Sequence, residues 1–377
     1  MRVLHFYRTA FPESMGGTEQ FIHQLATKTS ELGVRNEVLC LTKDRSTNSI
    51  KVGDYMVHRA KLDFEVASTG FSVSVINRFA QLAKHADIIN NHFPWPFMDI
   101  VHFTARIKTP VVVTYHSDII RQRHLLKLYR PLQRLFLNSV DHIIATSENY
   151  LQSSDILNRY KEKVSVIPIG IDSSTYAEPS YERRQFWQKQ FGENFFLFVG
   201  VIRYYKGLHI LLEAARTTGY PVVIIGAGPI ERELKTQKIK MGINNVHFLG
   251  YVNDEDKIAL LSLSRALVFP SHLRSEAFGI SLLEGAMYGK PLISCEIGTG
   301  TSFINIAGET GLVVPPSDAK ALAQAMTFLW QQPQLAEEMG RRAYQRYSEL
   351  FTAERMANSY IDLYSRILDG KQKESVS

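Results

Sequence analysis

Two glutamates, Glu276 and Glu284, lie on either side of the start of a predicted helix in the second half of the chain. The apolar run before them is typical of a buried strand. Ionised carboxylates accept hydrogen bonds and can hold hydroxyl groups of a hexose and a ribose. The amides around Phe278, Gly279 and Ile280 attract a diphosphate, because the positive end of the helix dipole lies there. The segment therefore predicts a sugar-nucleotide site with Glu284 in the first helical turn, although either glutamate alone is more simply a surface carboxylate.

A basic turn containing Arg203 and Lys206 closes the first predicted strand of the second half. An arginine can bind a phosphate with two parallel N–H groups, and a lysine adds a point charge. Both would neutralise a diphosphate as its bond to a sugar breaks. A solvated basic turn is the alternative, but ligands of open α/β sheets bind beyond the carboxyl ends of the strands, which favours the phosphate role.

Gly16-Gly17 and His116 give weaker signals. The glycine pair precedes an amphipathic helix at 20–32 and permits a ligand to approach the positive helix end, although turn geometry explains such pairs more often. His116 follows a predicted strand and can donate a hydrogen bond to a sugar hydroxyl or to charge that develops in a transition state. A single histidine near a strand end is more often a polar residue with an ordinary structural partner.

No metal site and no disulfide are predicted. The triplet Asp254-Glu255-Asp256 is acidic, but Asn253 or Asp254 before a helical run is more simply a helix cap with acidic first-turn residues. The two cysteines, Cys40 and Cys295, end apolar runs outside any ligand cluster, which fits a reducing cytoplasm.

The elements that must position these residues alternate between short apolar strands and amphipathic helices, which predicts an α/β fold. Strands are expected at 3–7, 37–41, 87–91, 110–115, 142–145 and 164–168, and again at 195–200, 221–226, 246–249, 266–269 and 291–294. A turn-rich stretch at 169–185 separates the two series. We expect two doubly wound domains that face one another across a cleft, at 1–178 and 179–352. A C-terminal helix from 353 is expected to return to the first domain and to fray after Lys371.

Composition narrows the class of partners. Of the 377 residues 45% are hydrophobic, and the net charge of +6 is too small to indicate nucleic acid. The apolar runs fall short of the roughly 18 to 20 residues that span a bilayer, and the N-terminus resembles a first strand more than a signal peptide. A leucine- and arginine-rich stretch at 119–138 predicts a helix whose leucines face the core and whose arginines face a phosphate or an anionic membrane.

The motifs also occur in the order found in retaining glycosyltransferases of family 4, which the chain resembles over nearly its whole length. The resemblance implies the GT-B architecture, with two Rossmann-like domains. It assigns the donor hexose to Glu276, the ribose to Glu284 and the diphosphate to Arg203 and Lys206. It also implies that Gly16-Gly17 faces the diphosphate and acceptor and that His116 contacts the transferred sugar. In the family the arginine directly follows the glycine that ends the strand, where this chain has Val201.

Four segments carry a narrower resemblance to bacterial O-polysaccharide enzymes, namely 93–99, 114–118, 203–207 and 294–301. This resemblance implies transfer of mannose or D-rhamnose, with retention, from a GDP-sugar to a polyprenyl-diphosphate-linked oligosaccharide in an α linkage. It also implies a peripheral enzyme on the cytoplasmic face of the inner membrane that needs no metal or cofactor. The alternatives are a UDP-sugar-dependent transferase of the same fold, a nucleotide-sugar epimerase and a non-catalytic sugar-binding scaffold.

Overall fold

The computed structural model describes residues 1–44, 46–66, 69–119 and 123–376, except for the side chains of 123–125 and 372–376. Backbone contacts divide the chain into two units. The first unit contains Met1–Gly170 together with the chain from Ala353 onward, and the second contains Ile171–Thr352.

The described part of the first unit is built on an eight-stranded sheet. The described strands of this unit are β1 (Arg2–Phe6), β2 (Arg35–Thr42), β3 (Ile50–Val52), β4 (Tyr55–Lys61), β5 (Phe64–Val66), β6 (Thr69–Phe71), β7 (Ile88–Phe93), β8 (Val111–Tyr115), β9 (His142–Ala145) and β10 (Val164–Val166). Strands β5 and β6 form a separate hairpin, and the other eight form the sheet. The sheet order is β10-β9-β8-β7-β1-β2-β4-β3, and β3 alone runs antiparallel to its neighbour. The central strands β7, β1 and β8 are buried on both faces, as expected for a parallel sheet covered by helices, and they carry polar residues among the apolar ones.

Three helices of the first unit begin at a serine whose side chain accepts an amide hydrogen bond. The described helices are α1 (Gly17–Glu31), α2 (Val73–Ala83), α3 (Pro96–Thr104), α4 (Arg123–Ser139), α5 (Glu148–Ser153) and α6 (Asp155–Arg159). Ser72, Ser147 and Ser154 cap α2, α5 and α6 through their hydroxyl oxygens, which satisfies amides that have no intrahelical partner.

The described part of the second unit has a six-stranded parallel sheet in the order β13-β12-β11-β14-β15-β16. The elements are α7 (Tyr181–Phe191), β11 (Phe196–Val199), α8 (Leu208–Thr218), β12 (Val222–Ile225), α9 (Glu231–Lys240), β13 (Val246–Gly250), α10 (Asp254–Leu263), β14 (Ala266–Phe269), α11 (Ile280–Met287), β15 (Leu292–Cys295), α12 (Gly300–Ile304), β16 (Gly311–Val314), α13 (Ala319–Gln331) and α14 (Pro333–Leu350). Short 3₁₀ turns cover 161–163, 173–175 and 204–206.

The last helix, α15 (Ala353–Val376), belongs to the first unit and packs on α1. Its Tyr360 and Tyr364 hydroxyls lie 3.1 Å from Thr114 Oγ1 and 2.8 Å from Asn90 Nδ2, respectively. The helix continues through Val376, whereas the tail was predicted to fray from Lys371. Among the described helices, none is long and apolar enough to cross a bilayer.

The first unit ends earlier than the predicted domain boundary, and several strands were not predicted. The first unit ends at Gly170 and not at 178, because Ile171 donates to Phe351 O and pairs with Thr352 in the second unit. Strands β3 to β6 and β16 were not predicted, since they are short or carry polar residues between apolar ones. Cys40 and Cys295 are buried and free as expected, and burial raises the pKa of each thiol to about 12.

Candidate functional site

Lys206 and Glu276 form a buried ion pair at the carboxyl edge of the second sheet. Lys206 follows β11, Glu276 follows the neighbouring strand β14, and each residue is only 8% exposed. The Ser271 hydroxyl also donates to Glu276 Oε2 at 3.0 Å. Lys206 Nζ lies 4.4 Å from the centre of the Phe269 ring, which offers the ammonium group a favourable π-face. The structure therefore brings together two residues that are 70 positions apart and that the sequence analysis assigns to one ligand.

The backbone around Lys206 is held by glycine. Gly207 has φ +71° and caps α8, and a Cβ there would lie 2.0 Å from the Pro270 carbonyl oxygen. Only glycine fits such a close approach in a left-handed conformation. The turn at Lys206 and the loop before Glu276 are therefore locked against each other, which fixes the cation beside the carboxylate.

Glu284 has two partners that the sequence analysis did not identify. The Tyr176 hydroxyl and Lys257 Nζ each donate to Glu284 Oε1 at 2.9 Å. Lys257 also pairs with Asp254 at 3.1 Å. Burial alone would lower the pKa of Lys257, but the nearby Glu284 carboxylate raises this pKa above its usual value. Glu284 is 6% exposed and lies beyond the first turn of α11, so the prediction of a first-turn position is wrong. Helix α11 starts only at Ile280, after a left-handed Gly279.

The start of α11 presents unpaired amides in this unit. Gly279 has φ +100°, and Leu282 donates to the Gly279 carbonyl. Within the described part of the chain, the N–H groups of Gly279, Ile280 and Ser281 have no hydrogen-bond acceptor. The Phe278 side chain is buried near Phe351, so this residue can offer a ligand only its backbone.

Arg203 extends into solvent just before Lys206. No ion pair of Arg203 is found among the described residues, so its guanidinium group differs from the Lys206 ammonium in both burial and pairing. Val201, where the family has arginine, is 47% exposed. The diphosphate role of Arg203 stays a prediction.

Helix α1 starts with a carboxylate already at its positive end. Glu19 is 7% exposed and accepts hydrogen bonds from Thr9 at 2.6 Å and Ser14 at 3.0 Å. A Cβ on Gly16 would lie 2.5 Å from Glu19 Oε2. The glycine at Gly16 therefore leaves room for this carboxylate, and a diphosphate at Gly16-Gly17 would meet a negative charge. The ligand role of the pair stays a prediction, which this geometry weakens.

His116 is the last member of a buried histidine chain in the first unit. Its Nε2 lies 3.1 Å from His92 Nδ1, and His92 Nε2 lies 3.1 Å from His5 Nδ1. His5 and His92 are 0% exposed and His116 is 9% exposed. Burial lowers the pKa of His116 to about 3 and that of His5 to about 4, and lowers that of His92 well below 6.5. His5 and His92 were not predicted as site residues; the available signal was an imidazole inside the predicted strand 3–7 and another directly after the predicted strand 87–91.

The acidic triplet near Asp254 is a helix start, as predicted. The Asn253 side chain accepts from the Asp256 amide at 2.8 Å, and Asp256 itself pairs with Arg183. In the parts of the chain that the structure covers, no group of three or more histidine, cysteine, aspartate or glutamate residues could hold a metal ion.

Helix α4 corresponds to the predicted basic stretch, whose residues 120–122, including Arg121, lie outside the described ones, as does the Arg123 side chain. Leu128 and Leu135 are 81% and 57% exposed, so the prediction that the leucines face the core is wrong for these two. Phe136, in the same helix, is fully buried.

Comparison with known proteins gives consistent matches along the chain. The family model "Glycosyltransferase Family 4" matches residues 15–175, and "Glycosyl transferases group 1" matches residues 181–346. The chain is 61% identical over 353 residues to D-rhamnosyltransferase WbpZ of Pseudomonas aeruginosa, covering 94% of this chain and 93% of that protein. It is 49% identical over 371 residues to O-antigen chain mannosyltransferase C of Escherichia coli, covering 98% and 100%.

Solved structures share the fold. Sucrose-phosphate synthase from Thermosynechococcus elongatus superposes with a TM-score of 0.82 at 20% identity, over 98% of this chain and 99% of that one. Anabaena HepE in complex with UDP gives a TM-score of 0.77 at 19% identity, over 97% and 100%. The predicted GT-B class, with two Rossmann-like α/β units, is confirmed.

Proposed function

This chain belongs to glycosyltransferase family 4, and we propose that it transfers a mannosyl or D-rhamnosyl residue from a GDP-sugar to a lipid-linked glycan during O-antigen synthesis. The observation that carries the proposal is the buried Lys206–Glu276 pair beside the amides that open α11. The names of the two relatives, a D-rhamnosyltransferase and an O-antigen mannosyltransferase, support D-rhamnose or mannose as the transferred sugar and O-antigen as the product.

The second unit supplies a charge arrangement suited to a nucleotide diphosphate sugar. We assign the diphosphate to Lys206, Arg203 and the amides of Gly279 and Ile280, because cations and helix-end amides both favour an anion. Glu276 then holds hydroxyl groups of the hexose, and the oxygen of Glu284 that Tyr176 and Lys257 do not occupy accepts from the ribose. This division uses each carboxylate as an acceptor, with Lys206 and Arg203 at the phosphates and Lys257 paired to the ribose-binding Glu284.

The reaction breaks the bond between the anomeric carbon and the diphosphate oxygen and forms a bond from that carbon to an acceptor hydroxyl oxygen. Family membership favours attack on the same face, so the configuration is retained. The departing diphosphate oxygen takes the proton of the attacking hydroxyl. Lys206 stabilises the charge that develops on this oxygen, and one such preorganised donor is worth about 3 kcal/mol. The proposed reaction needs neither a metal ion nor another cofactor.

The acceptor is proposed to be a polyprenyl-diphosphate-linked oligosaccharide at the cytoplasmic face of the inner membrane. Support comes from α4, where the exposed Leu128 and Leu135 lie among the exposed cations Lys127, Arg130 and Arg134. Exposed apolar residues flanked by cations bind anionic lipid interfaces.

The membrane assignment can be tested by co-sedimentation with phosphatidylglycerol vesicles. Replacing Leu128 and Leu135 together by serine is expected to reduce the bound fraction several-fold. Val73→Ser, which removes a residue that is 75% exposed and lies between two serines, is the control and is expected to bind like the parent. Equal binding by all three proteins contradicts the membrane role of α4.

The transfer reaction can be tested with GDP-mannose, GDP-D-rhamnose and UDP-glucose, each with a synthetic polyprenyl-diphosphate-linked oligosaccharide. We expect transfer from at least one GDP-sugar, with an α linkage in the product by NMR. Transfer from UDP-glucose alone would favour a UDP-dependent enzyme. An epimerised sugar formed without acceptor would favour an epimerase, and donor binding without any product would favour a scaffold.

A further inference from the structure

A single diagonal line of polar side chains crosses the sheet of the first unit. Asn36 in β2 pairs in register with Val3 in β1, and His5 lies two residues further along β1. His5 pairs in register with Asn90 in β7, and His92 again lies two residues further along. Each strand thus carries the line about 7 Å towards the carboxyl end of the sheet.

The last step brings the line to the carboxyl edge. His92 pairs in register with Thr114 in β8, and His116 lies two residues beyond, just after the strand ends. Ligands of open α/β sheets bind at this edge. A set of hydrogen bonds that starts near the amino end of the sheet therefore finishes where a substrate binds.

The direction of these hydrogen bonds is fixed at Asn36. Its Nδ2 lies 3.0 Å from the Ala26 carbonyl oxygen and 3.4 Å from the Val34 carbonyl oxygen, and both of these oxygens can only accept. The amide nitrogen must therefore face them, which leaves the Asn36 carbonyl oxygen 3.2 Å from His5 Nε2. A carbonyl oxygen accepts, so His5 carries its proton on Nε2.

One proton position then determines the next. A neutral imidazole has one donor and one acceptor nitrogen, so His5 Nδ1 is an acceptor and must receive a proton from His92 Nε2. By the same step, His92 Nδ1 accepts from His116 Nε2. His116 is left with an unprotonated Nδ1, for which no partner is found among the described residues.

We propose that Asn36, His5 and His92 are positioning residues that hold His116 in its Nε2-protonated form, so that His116 Nδ1 accepts a hydrogen bond from a hydroxyl group of the sugar. An unprotonated nitrogen has no proton to donate to a phosphate oxygen, but it can accept a hydrogen bond from a hydroxyl group. His116 is thus proposed to accept a hydrogen bond from the sugar, whereas the sequence led us to expect that it donates one. The sugar in this inference rests on the proposed transfer reaction, whereas the hydrogen-bond direction does not.

The hydrogen-bond direction can be tested on the full-length protein without ligand by long-range ¹H–¹⁵N NMR of labelled histidine, with His116 assigned through His116→Gln. We expect Nδ1 of His5, His92 and His116 to resonate in the unprotonated range and Nε2 in the protonated range. A proton on His116 Nδ1 overturns the proposal. This measurement on the parent protein does not depend on the folding of a His92 variant or on any activity.

The positioning role can be tested with two substitutions of His92, using sugar transfer from the active GDP-sugar. His92→Phe removes both the donor and the acceptor, and kcat/KM is expected to fall about tenfold, the usual worth of one hydrogen bond to a neutral group. His92→Gln keeps one donor and one acceptor and is expected to stay within about threefold of the parent. Equal losses in two folded variants overturn the positioning role.

A donor analogue tests the contact with a hydroxyl. In a series of deoxy donors, removal of the hydroxyl that His116 binds is expected to lower kcat/KM for the parent. The same donor is expected to cause little further loss of kcat/KM in His116→Phe. If every deoxy donor lowers kcat/KM equally in both proteins, His116 does not accept from the sugar. Complete lack of transfer by the parent would refute the proposed function, and with it the role of the sugar, while the NMR result would still decide the hydrogen-bond direction.

Discussion

The two units contain different kinds of buried polar centre. The second unit uses full charges, with Lys206 paired to Glu276 and Lys257 paired to Glu284. The first unit uses neutral imidazoles linked in one direction and anchored on Asn36. The Lys206–Glu276 pair lies at the carboxyl edge of its sheet, and the neutral chain reaches that edge of the other sheet only at His116. The first centre can neutralise charge, whereas the second can only make hydrogen bonds.

This difference follows from what burial costs. A buried charge needs a partner, and the pair must be close and held rigidly to offset the loss of hydration. A neutral histidine avoids this cost when its pKa lies well below 6.5, as burial ensures for His5 and His116. A charged centre of this kind suits a diphosphate, and a neutral one suits a hydroxyl group.

The largest expected effect comes from breaking the charged pair. Lys206→Met leaves Glu276 buried without its cation, and the free energy of unfolding is expected to fall by about 3 to 5 kcal/mol. Adding Glu276→Gln removes the stranded charge and should restore much of this stability. Urea unfolding of both variants checks the comparison.

The same double variant separates stability from catalysis. Its turnover is expected to stay about a hundredfold to a thousandfold below that of the parent, because the donor for the leaving diphosphate is gone. A double variant that recovers both stability and turnover would show that Lys206 serves only the fold.

A second prediction concerns the backbone that holds the charged centre. Gly207 and Gly219 cap the two ends of α8 with the same φ of +71°, but only Gly207 lacks room for a Cβ. Gly219→Ala is expected to lower the free energy of unfolding by about 1 kcal/mol, because alanine is disfavoured in the left-handed conformation of this residue. Gly207→Ala adds a clash and is expected to cost about 3 kcal/mol, measured by thermal unfolding. Equal costs would mean that the close approach to Pro270 relaxes.

A third prediction concerns Glu284. Glu284→Gln is expected to raise KM for the donor about tenfold with little change in kcat, because a ribose contact acts equally in the ground and transition states. Tyr176→Phe leaves the Lys257 contact in place and is expected to raise KM less than about threefold. Steady-state kinetics with varied donor concentration checks both, and a fall in kcat alone would move Glu284 to the reacting centre.

The smallest expected effect tests the neutral centre through pH. The unfolded chain binds protons near pH 6.5, whereas folded His5 and His116 bind them only near pH 4 and 3. The unfolded state therefore takes up more protons as the pH falls, and stability decreases. Between pH 7.5 and 6 the loss is about 1 kcal/mol for each of these two groups.

This pH prediction has a matched variant. Other buried or half-buried histidines with lowered pKa values, among them His23, His92 and His102, act in the same direction. Urea unfolding at both pH values should therefore show that the free energy of unfolding falls by about 1 kcal/mol less for His116→Gln than for the parent. An identical loss in both proteins would show that folding does not lower the pKa of His116.

The sequence alone predicts the charged centre better than the neutral one. Lys206 and Glu276 each follow an apolar run, and neighbouring parallel strands bring such ends to one edge, so their proximity follows from topology. The partners of Glu284 could not be predicted, because Tyr176 and Lys257 come from distant turns and helices whose packing no local pattern encodes. Helix starts are uncertain by one or two residues, which moved Glu284 out of the first turn.

The histidine chain was missed for a similar reason. His5 and His92 sit inside strands that were predicted or partly predicted, but a hydrogen bond across strands depends on register, which sequence patterns in a fully buried sheet do not fix. The unusual feature was a buried imidazole with no neighbouring charge. Such a group needs a polar partner when buried, and this rule would have directed the search to the adjacent strands.

The most direct test of the account is calorimetric titration of GDP-mannose and GDP-D-rhamnose into the parent and into the Lys206→Met/Glu276→Gln double variant. The account predicts that the parent binds at least one of these donors and that the double variant binds it at least tenfold more weakly, since a charge-assisted contact to the diphosphate is lost. Equal affinities in the two folded proteins would contradict the claim that this buried pair forms the donor site.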